Sequence, residues 1–487
     1  MLDLLLVRPG DKKNIYGELG STLAAVEPPF WAGLIAGFMR DKGFSVRVLD
    51  ADAENLSSEQ VAHRVKDSDP CVLGVIVSGT NPSASTMTMP AAREILQHVR
   101  ELSPDTKTFL AGLHPSALPL RTMTEEPVDY VIQHEMFRTL PDLVTAVKEG
   151  GHVGDLSIPG LWYRNNGGVM SNPAPALIED LDSLAEVAWD LLPMHLYRAH
   201  NWHCFSCIDS RHPYAVVYTS LGCPFNCSFC CINAMFGVNR IRYRSPARVL
   251  AEIDTLHNTY DVKNIKIMDE MFVLRDEHVS AICDGLIDRN YGLNIWAYAR
   301  IDTVTRKMLD KLKAAGFNWL AYGIESGNAA VRKGVTKGRF DQDAIERTIA
   351  MTRQSGIYIG GNFIFGLPED NYQTMQETLD LACELNCEYA NFYAAMAYPG
   401  SKLHEQAVRE DWRLPQTWRG YAQFCSETLP LSTRYLSGPD VLRFRDAAFD
   451  YYHRRVEYLQ MIEETFGIPA VTHVEEMLTR KLHRNYA

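Results

Sequence analysis

The sequence predicts an α/β protein of two units in series, a doubly wound parallel sheet followed by a partial barrel, with a mostly helical C-terminal region. Three observations predict it. Short apolar runs alternate with amphipathic stretches through residues 1–150; six strand-like runs between Tyr214 and Met396 are each followed by a helical stretch; and beyond an aromatic-rich stretch the chain is strongly helical from about Pro439 to Leu459.

The bulk properties are those of a globular enzyme-sized chain. Its 487 residues leave room for several cores, and 46% hydrophobic with 22% charged residues is ordinary composition. A formal net charge of −12 offers no general attraction to phosphate backbones, so nucleic acid is not expected as a partner. No secretory signal precedes the first strand and no apolar run is long enough to cross a bilayer, so a cytoplasmic protein without a membrane partner is expected. Eleven unevenly spaced cysteines point to ligands and buried thiols rather than a disulfide framework.

The elements follow in order. Strands are predicted at Leu2 to Val7, Val46 to Leu49, Cys71 to Val77, Thr108 to Ala111 and Tyr130 to Ile132. Between them, Pro28-Pro29 opens a helix through Phe30 to Met39, and a polar helix runs from about Ser57 to Lys66. This spacing is that of a Rossmann-like or flavodoxin-like sheet, whose ligands lie at the carboxyl ends of the strands. Those ends carry Arg8-Pro9-Gly10, the hydroxyl-rich stretch Ser78 to Thr86, and Gly112-Leu113-His114-Pro115. No G-x-G-x-x-G follows the first strand, which disfavours a dinucleotide. Residues 151–210 read as a connector containing a β-hairpin around Asn165-Asn166-Gly167-Gly168. Cys204 and Cys207 form a C-x2-C with no matching second pair, read as local structure.

Residues 211–403 then read as a partial (β/α)6 TIM-like barrel, with strands at Tyr214–Thr219, Asn264–Met268, Asn294–Tyr298, Trp319–Gly323, Tyr358–Phe365 and Tyr389–Met396. Its site belongs at the C-terminal strand ends. After the first strand comes Cys223-Pro224-Phe225-Asn226-Cys227-Ser228-Phe229-Cys230, a C-x3-C-x2-C loop. Three thiolates this close suit one face of a cubane iron–sulfur cluster and leave one iron without a cysteine from the motif. The alternatives are chance clustering or a zinc knuckle completed by Cys231. Residues 404–487 read as a helical cap, its aromatic residues Trp412, Trp418, Tyr421 and Phe424 weighed as core before pocket lining.

The cysteine loop resembles that of the radical S-adenosylmethionine (SAM) enzymes. In that family the open iron of a [4Fe–4S] cluster binds SAM, and an electron cleaves it to a 5′-deoxyadenosyl radical. The resemblance implies cluster ligands Cys223, Cys227 and Cys230. It places Asp269 and Glu270 after the second strand, Arg300 after the third, the Glu325-Ser326 pair after the fourth and Ile364 in the adenine-side motif of the fifth around SAM. The loops of residues 1–150 look like the cobalamin-binding domain fused to many of these enzymes, and imply cobalamin contacts at Asn81, Ser83, Thr86, Gly112 and His114. The D-x-H-x-x-G motif that supplies a lower cobalt ligand is absent, and His114 as its substitute weighs less than a loop histidine bonded to its surroundings. Membership in this cobalamin-dependent group implies methyl transfer through methylcobalamin to an unactivated carbon or phosphorus centre of a small-molecule substrate. It also implies an external electron donor of flavodoxin or ferredoxin type. Cyclisation or rearrangement without methyl transfer is the first alternative; a tRNA methylthiotransferase and a non-enzymatic cluster sensor follow it.

Overall fold

A computed structural model describes residues 2–17, 19–78, 85–150, 157–337 and 340–487. Asn81 and Ser83, expected at cobalamin, lie outside the described residues.

The first sheet begins with β1 (Leu2–Arg8), β2 (Val46–Asp50), β3 (Pro70–Val77), β4 (Lys107–Gly112) and β5 (Tyr130–Ile132), parallel and in the order β2-β1-β3-β4-β5. The order reverses between β1 and β3, so the ligand crevice of such a sheet opens at their carboxyl ends. The strands are near-continuous apolar runs because helices cover both faces: Phe30–Asp41 on one, Ser58–Ser68 and Met89–Leu102 on the other. Ser57 caps its helix through a reciprocal bond pair with Gln60.

The hairpin expected within a connector instead extends this sheet. β6 (Leu161–Asn165) and β7 (Gly168–Ser171) add antiparallel to β5, pairing Val131 with Trp162. The physical reason is that β5 alone leaves an unpaired edge, and the hairpin covers it while burying Leu161 and Tyr163.

The second sheet comprises β8 (Tyr214–Val217), β11 (Asn264–Ile267), β12 (Asn294–Ala299), β13 (Phe317–Glu325), β14 (Tyr358–Phe365) and β15 (Tyr389–Ala394), all parallel and neighbouring in that order. Between β8 and β11 a short antiparallel pair, β9 (Ser220–Leu221) and β10 (Arg242–Tyr243), frames the cysteine loop. The six strands do not close, since β8 and β15 do not pair. The gap is filled by Trp202, which stacks on Tyr389 with ring centroids 4.5 Å apart, and by the helix Gly438–Arg454 against β15.

The stretch expected to be strongly helical from about Pro439 to Leu459 is divided between two helices, Gly438–Arg454 and Val456–Phe466, and a third, Ile468–Leu478, follows. Arg455 is extended (φ −62°, ψ 140°), and its guanidinium bonds the Cys383 carbonyl at 3.0 Å and Asn386 Oδ1 at 2.6 Å. Tertiary bonds there outcompete helix propensity. Among the described residues no helix is long and apolar enough to cross a membrane.

Candidate active site

The cysteine loop leaves β9 at Gly222, whose φ of +88° and a Cβ position only 2.2 Å from the Arg240 carbonyl oxygen require glycine. Three other segments hold it. Ser228 donates its N–H to the Val335 carbonyl (3.3 Å) and accepts from Leu403 N–H (2.8 Å), while Thr336 Oγ1 donates to the Asn226 carbonyl (2.7 Å). Phe225 lies under the Arg300 guanidinium, 4.1 Å from ring centroid to Cζ. Cys223 and Cys227 are half-buried and Cys230 is exposed, while Cys231 is buried in a packed cluster with Leu113 and Ile232, against which Cys223 also packs. Burial pushes the Cys223 thiol up to about 11, with Glu270 and Cys227 adding to the effect. Among the described residues, no three His, Cys, Asp or Glu side chains close round one metal ion. Cys223, Cys227 and Cys230 lie on one loop, and a cubane takes each such cysteine on a separate iron.

Beside this loop a cavity of about 850 Å³ opens at the C-terminal strand ends and runs into the barrel. Glu270 lines it, and its Oε2 is buried with no hydrogen-bond partner among the described residues. Burial pushes this carboxyl up to about 8. An unpaired buried acceptor of this kind fits a ligand ammonium. Arg300 also lines the cavity, held by a two-pronged pair with Asp302 (2.8 and 2.9 Å). Glu325 stands at a bulge in the β13–β14 register with φ +67°, which turns its carboxylate to Lys337 Nζ at 2.6 Å. Burial works against the Lys337 ammonium, yet Glu325 outweighs it and the pKa is raised. Ile364 lines the same cavity.

Two expected SAM residues sit differently. Asp269 also borders the cavity, but both its oxygens are engaged: Oδ1 accepts from Thr219 N–H at 2.6 Å, and Oδ2 from Thr219 Oγ1 and Ser220 Oγ at 2.6 and 2.5 Å. It braces the start of the cysteine loop. Ser326 is buried away from the cavity, bonding Thr378 Oγ1 at 3.1 Å and accepting from Asn328 N–H. Lys337 was not singled out from the sequence, because it lies in no strand and a lone lysine carries no pattern.

At the carboxyl edge of the first sheet lies a smaller cleft of about 50 Å³, bounded by Arg8, Ser78 and Gly112 on one side and Tyr218, Met268 and Glu270 on the other. Gly112 has φ +129°, and a Cβ there would sit 2.2 Å from the Val77 carbonyl oxygen. Glu27, Met268 and Glu270 border both this cleft and the large cavity. The large cavity also reaches Ile15, Leu23 and Met87 of the first unit, so an apolar space spans the two units. Such a lining fits a corrin face. Thr86 and His114, expected at cobalamin, are both buried and bond each other, Oγ1 to Nδ1 at 3.1 Å. His114 packs edge-on against Trp418, and burial followed by the Arg121 charge lowers its pKa to about 3. Cys204 Sγ turns to Asn264 Oδ1 (3.5 Å) and Cys207 Sγ to Ser210 Oγ (2.9 Å), each a free thiol with local partners.

Fold and site define an open six-stranded barrel with a three-cysteine cluster loop, joined to a doubly wound ligand-binding sheet. Comparison with known proteins agrees. Residues 217–382 match the radical SAM superfamily and residues 19–144 the B12 binding domain. An uncharacterized methyltransferase of Pyrococcus horikoshii is 31% identical over 424 residues, 86% of this chain and 86% of that protein. The anaerobic magnesium-protoporphyrin IX monomethyl ester cyclase of Rubrivivax gelatinosus is 28% identical over 397 residues, 80% of this chain and 68% of the cyclase. The radical SAM methyltransferase TsrM of Kitasatospora setae, solved with cobalamin and a [4Fe–4S] cluster, shares the fold with a TM-score of 0.67 at 20% identity, covering 84% of this chain and 75% of that one. The chain belongs to the cobalamin-dependent radical SAM enzymes. Its cofactors are those of the family: a [4Fe–4S] cluster, SAM and cobalamin.

Proposed function

We propose that this enzyme transfers a methyl group from SAM to an unactivated carbon, or phosphorus, centre of a small molecule. The observation that carries the reading is the continuous cavity linking the cluster loop, through Glu270, to the cleft of the first sheet. When bound, the cluster supplies the electron that cleaves SAM, and cobalamin supplies a carrier for the methyl group.

The chain's own residues do the rest. Cys223, Cys227 and Cys230 hold the cluster through three thiolates. The unpaired Oε2 of Glu270 accepts from the SAM ammonium, and the free face of Arg300, steadied by Asp302 and Phe225, meets its carboxylate. Glu325 and Lys337 offer a fixed acceptor and donor to the ribose, while Ile364 packs against the adenine. Asp269 acts through the loop it braces and touches no ligand. Gly112 lets the corrin approach the backbone closely. The apolar side chains of Ile15, Leu23 and Met87 help keep water from the space between the two units.

A second reading, ring closure or rearrangement without methyl transfer, is favoured by the similarity to the Rubrivivax cyclase over 80% of the chain. One experiment addresses both. Anaerobically reconstituted protein is supplied with reductant and methyl-labelled SAM, and 5′-deoxyadenosine, bound corrinoid label and labelled products are measured. Formation of 5′-deoxyadenosine that disappears in Cys223→Ala, Cys227→Ala and Cys230→Ala is expected, together with label on the corrinoid. Unlabelled product with undiminished SAM cleavage favours the second reading; a stable cluster that never cleaves SAM rejects both.

A further inference from the structure

The large cavity does not end at the strand tips. Along each barrel strand alternate residues face inward, and the cavity follows them down. Met268, Arg300, Glu325 and Ile364 form the upper layer, where SAM is placed above. Two residues earlier on the same strands come Lys266, Tyr298, Gly323 and Asn362, and below these Trp296 and Ala321; all line the same space. A closed eight-stranded barrel is filled by bulky branched side chains. Here glycine and alanine on β13 leave the lumen open.

The walls of that lumen are aromatic and rich in donors. Trp296, Tyr298, Tyr389 and Tyr393 face it, and Trp296 stacks on Trp319, its register partner on the neighbouring strand, with ring centroids 5.1 Å apart. The Tyr389 and Tyr393 hydroxyls have no hydrogen-bond partner among the described residues, and both lie half-buried at the cavity wall. Lys266 holds an ammonium among them, bonded to Glu27 at 2.8 Å; Glu27 in turn accepts from Tyr214 Oη at 3.2 Å. Burial opposes the charge on Lys266, but Glu27 and Tyr298 outweigh it and the pKa is raised. An ammonium keeps three donors, so the carboxylate and Tyr298 leave one to spare. Flat aromatic faces, two unpaired phenol donors and a spare ammonium donor describe a complement of definite chemistry.

We propose that the lumen below the SAM layer is the substrate chamber, and that its occupant is a planar aromatic molecule presenting carboxylate or carbonyl oxygens, gripped by Lys266 and Tyr393. A saturated hydrocarbon would leave both the ring faces and the donors unused, and a saturated acid would leave the ring faces unused. The assignment rests on the proposed function only in placing SAM in the upper layer.

The test uses the full-length protein with its cofactors and SAM, under anaerobic calorimetry, with 2-naphthoate as probe and decahydro-2-naphthoate as its saturated counterpart. One-to-one binding of 2-naphthoate is expected, with the saturated acid at least about fivefold weaker. Tyr393→Phe removes only an unpaired hydroxyl and leaves packing intact; it is expected to weaken 2-naphthoate roughly fivefold. Ala321→Leu fills the lumen and is expected to abolish binding. Absence of one-to-one binding, equal affinity for the saturated acid, or binding unchanged in both variants overturns the proposal. The SAM-induced change in the cluster's electron paramagnetic resonance spectrum is recorded on the same samples. If that change persists while naphthoate fails to bind, the chamber assignment alone falls; if it is missing, the proposed function falls with it.

Discussion

Glu270 and Asp269 are adjacent carboxylates in opposite bonding situations, and what separates them is the supply of donors. Asp269 accepts three bonds from Thr219 and Ser220, so its negative charge is spent on the loop; Glu270 keeps one oxygen unpaired beside the cavity. From the sequence the two were equivalent, since Met268-Asp269-Glu270-Met271 says nothing about which carboxylate meets a neighbouring strand. Gly112 is the converse case, a position legible as a turn whose necessity appears only in three dimensions. Gly112→Ala forces a Cβ against the Val77 carbonyl at a φ that side chains rarely adopt. A loss of roughly 2–3 kcal/mol in unfolding free energy is expected. Chemical denaturation would measure it, and a change below about 0.5 kcal/mol would show that the turn relaxes freely.

At the scale of elements, the βα units of the barrel were readable because strand and helix periodicities alternate at regular spacing. The helix after the cysteine loop is one of the most sharply marked. Ser245 caps Pro246–Tyr260 by accepting from Arg248 N–H at 3.3 Å, with Pro246 at the first helical position. Ser245→Ala is expected to cost about 1 kcal/mol while leaving the iron content unchanged, since Ser245 does not line the cavity beside the cysteine loop. Thermal unfolding and iron analysis check the two halves of that statement. The C-terminal helices were less legible. Their pattern reads as strongly helical without marking a break, and the break at Arg455 depends on partners at Cys383 and Asn386, about seventy residues earlier in sequence. The hairpin at the edge of the first sheet is similar: its strands and turn were evident, its attachment to β5 was not.

For the whole molecule, several histidines lie buried and neutral. Burial, helped by nearby positive charge, lowers His114 and His453 to about 3 and His278 to about 4; burial also lowers His203 to about 3, although its bond to the Asn294 carbonyl works the other way. In the unfolded chain each titrates near 6.5, so as pH falls below that value the unfolded state takes up protons that the folded state refuses. Each histidine therefore removes roughly 1 kcal/mol of stability per pH unit between its two values. Glu270, raised to about 8, and Asp370, raised to about 6, act in the opposite sense because the folded state holds their protons more tightly. His134, His200, His404 and His473 are lowered by burial as well, so eight histidines stand against carboxyls of which Glu270 and Asp370 are raised furthest, and acidification brings a net loss. Melting temperature is expected to fall from about pH 6.5 to about pH 5, and a flat or rising profile would show that these histidines are not held neutral.

The sequence by itself determined the two α/β units, the three-cysteine loop and the ring of strand ends around it, because each of these rests on local spacing and periodicity. It did not decide which side chains at those ends keep a free atom, nor that the barrel is hollow. Those depend on packing across strands: Gly323 and Ala321 are small residues in a sequence, and an open lumen only when Lys266, Tyr298 and Tyr393 are set around them. The meeting of Glu27 with Lys266, 239 positions apart, is likewise a property of the two units docked together.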